Sequence, residues 1–93
     1  MLHIVKTPHQ LPSVLAYLSD QDAVILVEDS IYAINEGHFA HFLLKNCPAS
    51  VFFLSNDALA RGLTLSINEF IQHVDFEGFV ELTAAHEQSM TWE

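Results

Sequence analysis

The spacing of hydrophobic positions changes repeatedly along this chain. Leu2–Lys6 is short, apolar and β-branched, which predicts a strand. Leu11, Val14, Leu15 and Leu18 then recur at the i, i+3, i+4, i+7 spacing of one helical face. Either Pro8 or Pro12 suits the first turn of that helix, where a missing N–H costs little. Ser19–Asp22 is a polar turn. The continuous apolar run of Ala23–Glu28 fits a strand covered on both faces, as in a parallel sheet. Glu28-Asp29-Ser30 ends it, and Ile31–Ile34 reads either as a helical turn or as an extended piece. Phe39, Phe42, Leu43 and Asn46 return to helical spacing, closed by Pro48.

The second half repeats the alternation. Ser50–Leu54 predicts a third strand. Asn56 or Ser55 is expected to cap a short helix running to Arg61, with Gly62 as its stop. Phe70–Val74 predicts a fourth strand. Asp75 then caps a last helix whose apolar face is Phe76, Phe79, Val80 and Thr83, and Met90–Trp92 is expected to add an edge strand. Strands alternating with helices predict one α/β domain over residues 1–93: a small doubly wound, mainly parallel four- to five-stranded sheet with helices on both faces.

Composition narrows the function. At 51% hydrophobic and 16% charged residues, with three glycines and three prolines, the 93-residue chain is neither a disordered tail nor a linker. Its longest clean apolar run, Ala23–Val27, is far below the roughly 20 residues of a membrane span. The start Met1-Leu2-His3-Ile4-Val5-Lys6 does not read as a secretory signal, so a cytoplasmic location is expected. Lys6, Lys45 and Arg61 face twelve carboxylates, for a net charge of −9. Three dispersed cations do not make a phosphate-binding footprint, so direct contact with nucleic acid or with anionic membrane is not expected. A domain this small leaves much of its surface exposed, about 40% of what the unfolded chain shows. Such an apolar chain is therefore expected to associate.

Candidate chemistry is sparse. The loops after the predicted strands, Thr7-Pro8-His9-Gln10, Glu28-Asp29-Ser30 and Ser55-Asn56-Asp57, hold no glycine to admit a phosphate, and no cofactor is expected. Asp29 and Asp57 end successive strands, either as an acid–base pair or as helix caps. His38 and His41 stand three apart near Glu36 without a third ligand at suitable spacing, so no metal site is assigned. Ser13, Ser30, Ser55, Ser66 and Ser89 lie in no Gly-x-Ser-x-Gly turn. Cys47, the single thiol, follows a helix C-terminus, where the dipole disfavours thiolate. It remains the one candidate for carrying sulfur. Met90 and Trp92 read either as core-sealing residues or as interface anchors.

Several segments in order resemble the TusB/DsrH family: Met1-Leu2-His3, Ala60-Arg61-Gly62-Leu63, Asp75-Phe76-Glu77-Gly78-Phe79-Val80-Glu81-Leu82-Thr83 and His86-Glu87-Gln88-Ser89-Met90-Thr91-Trp92. The resemblance spans essentially the whole chain. It implies a DsrE/DsrF/DsrH-like fold and a place in a heterohexamer with two copies each of TusB-, TusC- and TusD-like subunits. In that relay a TusA-like carrier delivers persulfide sulfur, and a TusE-like protein takes it on towards 2-thiouridine at the tRNA wobble position. The main sulfur-accepting cysteine belongs to the TusD-like subunit. Some DsrH relatives carry a cysteine near the first helix; Leu11–Ser19 has none here, and Cys47 does not match that position. The resemblance thus implies a non-catalytic subunit, with Phe79, Met90 and Trp92 as interface candidates. Direct sulfur transfer through Cys47, or an acidic adaptor outside sulfur metabolism, are the alternatives.

Overall fold

The computed structural model describes residues 1–63 and 70–93. Five strands form one sheet: β1 (Leu2–Val5), β2 (Ala23–Leu26), β3 (Ser50–Leu54), β4 (Ile71–Val74) and β5 (Ser89–Trp92). Their order is β4-β3-β2-β1-β5, and every pairing is parallel. The predicted α/β architecture is therefore present, with the C-terminal segment as a fifth strand alongside β1. Parallel neighbours need crossover connections, and four helices serve the described ones: α1 (Leu11–Tyr17), α2 (His41–Lys45), α3 (Ser55–Ala60) and α4 (Phe76–Ala85). No helix among the described residues is long and apolar enough to cross a membrane.

Side chains alternate across each strand, so the sheet has two unlike faces. On one, Val5, Val24, Leu26, Val51, Phe53 and Ile71 join residues of α1, α2 and α3 in the larger core. On the other, Leu2, Ala23, Ile25 and Leu54 meet Phe79 and Leu82 of α4, with Ile4 and Phe52 only half-buried. No residue of α4 is fully buried. Gly78 lets that helix sit close to the end of β4, since a Cβ there would lie 3.0 Å from the Cβ of Val74.

Several local expectations are revised. Both prolines open a turn: Pro8 begins a 3-10 turn, Pro8–Gln10, and Pro12 lies in the first turn of α1. Glu28–Ile34 is a longer 3-10 segment that buries Ile31, Ala33 and Ile34, which settles the ambiguous Ile31–Ile34 stretch as helical. The helix expected over Phe39–Asn46 shortens to α2. Leu44 and His41 turn inward while Phe39 and Phe42 stay exposed, because the spacing alone does not say which stripe meets the sheet. Neither Ser55 nor Asn56 caps α3. Leu54 occupies the cap position without a side-chain bond, as β3 runs straight into the helix. At α4 the Asp75 carboxylate does accept from the Gly78 N–H at 2.9 Å. The helix buries Phe79 and Leu82, however, rather than Phe76, Val80 and Thr83. Gly62 ends the α3 turn at φ +72°, as expected.

Candidate functional site

In doubly wound sheets, chemistry gathers beyond the C-terminal ends of the strands, where the strand order reverses. Here that place lies beside β1, which has β2 on one side and β5 on the other. Its charged side chains pair with one another on an exposed surface. Lys6 Nζ lies 3.3 Å from Glu93 Oε1 and 3.6 Å from Glu28 Oε2, and the hydrogen bond to Glu93 with the charge of Glu28 raises its pKa. The Thr7 hydroxyl donates to the Glu93 carbonyl at 3.3 Å. Arg61 Nη2 reaches Asp29 Oδ1 at 3.3 Å.

Glu28 adopts φ +51°, a left-handed conformation that an ordinary side chain rarely takes. Its N–H donates to Asp57 Oδ2 at 2.7 Å, so the first turn of α3 holds the start of the 3-10 segment after β2. Asp57 therefore ties α3 to the segment after β2 rather than capping its own helix, while Asp29 pairs with Arg61. The Ser30 hydroxyl is buried within 2.6 Å and 2.8 Å of the Val5 and Val27 carbonyls, which share its one proton. No thiol stands among the described residues of this edge, and Ser30 is committed to backbone. Ser66 lies outside the described residues.

Cys47 lies at the opposite edge, just before β3 begins. It lines a groove of about 270 Å3 with Leu44, Pro48, Phe70 and Gln72. Burial pushes its thiol up from the ordinary value, against a weaker opposing hydrogen bond from the Ala49 backbone. A half-buried thiol held protonated is a poor nucleophile.

His38 and His41 both turn to backbone: Nδ1 of His38 accepts from the Ala40 N–H at 3.1 Å, and Nδ1 of His41 donates to the Ala33 carbonyl at 2.8 Å. Glu36 shares a groove with them. Among the described residues, no group of three or more His, Cys, Asp or Glu is placed to hold a metal ion.

The two ends of the chain meet in a polar network that spacing did not reveal. His3 is fully buried on β1. Its Nδ1 lies 3.0 Å from Trp92 Nε1, and its Nε2 lies 2.9 Å from Asp22 Oδ2. An indole nitrogen only donates, so His3 Nδ1 accepts, and the ring proton on Nε2 goes to Asp22. Asp22 also accepts from the Ser19 N–H and the Met1 ammonium, at 3.2 Å and 3.0 Å. These bonds, His3 foremost, hold its carboxyl well below the usual carboxylate range despite partial desolvation. Tyr17 stands edge-on to both rings, at 5.9 Å from each.

The DsrH like protein family model matches residues 6–89. The chain belongs to the DsrH family. It is 36% identical over 98 residues to Protein TusB of Escherichia coli O139:H28 (strain E24377A / ETEC), covering 99% of this chain and 100% of that protein. The fold is also that of the ychN protein from E. coli, with a TM-score of 0.74 at 14% identity over 98% of this chain and 97% of the other. Protein Tm0979 from Thermotoga maritima gives 0.64 at 18% identity, over 95% and 97%.

Within this DsrH family chain the three interface candidates stand apart. Phe79 is half-buried under α4 on one face of the sheet. Met90 and Trp92 project from β5 on the other, Met90 exposed and Trp92 half-buried with its N–H already bonded to His3. The resembling segments at the two ends, Met1-Leu2-His3 and Met90-Thr91-Trp92, are side by side in the β1–β5 pairing.

Proposed function

We propose that this chain is a non-catalytic subunit of a TusBCD-like sulfur-relay complex, which passes persulfide sulfur towards 2-thiouridine at the tRNA wobble position. The full-length relationship to Protein TusB carries the reading. In it, TusC-like and TusD-like subunits complete a cytoplasmic heterohexamer, and TusA-like and TusE-like carriers act before and after it. The chain itself touches no nucleic acid, in keeping with its net charge of −9. Its part is structural. At the C-terminal edge of the sheet, where this architecture offers chemistry, the charged side chains pair with one another and the Ser30 hydroxyl is committed to backbone, while the thiol sits at the other edge with its pKa raised. Co-expression with the TusC- and TusD-like proteins of its own organism, followed by native mass measurement, tests the reading. A complex containing all three supports it. Assembly of the other two without this chain sinks it.

The groove beside Cys47 favours one second reading, in which this thiol itself takes up persulfide sulfur. Intact-mass analysis after incubation with a persulfide donor decides between them. A gain of sulfur that Cys47→Ser abolishes supports carriage, and an unmodified chain excludes it.

A further inference from the structure

The outer side of α4 is unlike the other helical surfaces among the described residues. Phe76 and Val80, one turn apart, are 58% and 65% exposed, and the helix has no fully buried residue. Beneath it, Ile4 and Phe52 remain half-buried in the same cluster as Phe79 and Leu82. Glu77 and Glu81, also one turn apart, flank the exposed apolar pair. From Gly62 to Glu93 there are six carboxylates and no lysine or arginine. This last third of the chain thus holds six of the nine net negative charges, and α4 stands at its centre.

We infer that the outer side of α4 docks a different protein, one presenting an apolar patch rimmed by lysine or arginine. The apolar pair supplies the area to be desolvated, and the carboxylates select the partner by charge. A second copy of this chain would bring an equally acidic strip with no cation to answer it. An anionic membrane is opposed by the same carboxylates. A second exposed apolar pair, Phe39 and Phe42, has Lys45 beside it and lacks this uniform charge. The inference deepens the relay-subunit reading and rests on it, by naming the face and the chemistry through which the subunit joins its complex.

The test uses the full chain co-expressed with its TusC- and TusD-like proteins. Phe76→Asp/Val80→Glu should weaken assembly at least about tenfold, the loss typical of a central interface anchor, with the circular dichroism and melt of the isolated chain unchanged. Glu77→Lys/Glu81→Lys, which alters only exposed charge, should also weaken it, and rising salt should weaken assembly of the wild type. Phe39→Asp/Phe42→Asp should assemble normally. Wild-type assembly matched by both α4 variants overturns the inference and leaves the relay reading standing. So does a wild-type homodimer that Phe76→Asp/Val80→Glu dissolves. Failure of the wild type to assemble overturns both.

Discussion

The two faces of the sheet are built from the same strands yet finished to different degrees. Under α1, α2 and α3, Val5, Leu26 and Phe53 are almost completely withdrawn from water. Under α4, the strand neighbours Ile4 and Phe52 keep part of their surface exposed, and the helix buries nothing fully. One face is a completed core; the other is a core with one layer thin. In a chain this small, apolar residues outnumber the positions that a single sheet can enclose, and among the described residues the excess collects on the face that α4 covers.

The largest expected contrast comes from truncating one phenylalanine on each face. Phe53→Ala should cost about 3–5 kcal/mol, the range for a large cavity in a packed core. Phe79→Ala should cost about 1–2 kcal/mol, because much of its area is never withdrawn from water. Urea denaturation of both measures the gap, and equal losses would erase the distinction between the faces.

The His3 network belongs to the finished face and should be the next most sensitive feature. His3→Leu leaves the Asp22 carboxylate and the Trp92 N–H without their partner, a loss of about 1–3 kcal/mol by the same measurement. Asp22 adds a pH signature. Its folded pKa lies below the ordinary 3.8, so its contribution is fully present above that value. As pH falls through the ordinary value, the unfolded chain takes up the proton first, and stability drains away toward the lower folded pKa. Asp22→Asn should therefore be less stable at neutral pH, with the difference shrinking below about pH 4. A difference independent of pH would detach the carboxylate from the effect.

Smaller changes probe the joints. Gly62→Ala should cost about 1 kcal/mol through its left-handed backbone alone, since a Cβ there meets nothing within 4 Å. Asp75→Ala should cost about 1 kcal/mol by releasing the Gly78 N–H at the start of α4. Smallest of all, Phe76→Asp should move the stability of the isolated chain by no more than about 0.5 kcal/mol, as expected for a surface position. A large loss there would mean that the unfinished face is packed after all.

The sequence by itself determined the alternation of strands and helices, the parallel sheet, the Gly62 stop and the Asp75 cap. Each depends on local chemistry: hydrophobic period, a residue free to take positive φ, a carboxylate three positions before an open N–H. The family was legible too, in the segments at the two ends and around α4. Only the tertiary structure decided which stripe of a helix turns inward, because Phe39 and Phe42, or Phe76 and Val80, have the same period as the stripe beside them. It alone set Cys47 half-buried in a groove with Phe70 and Gln72. It alone joined His3, Asp22 and Trp92, residues up to 89 positions apart, into one hydrogen-bonded chain. Periodicity reports neighbours along the chain; such contacts exist only once β1 lies between β2 and β5.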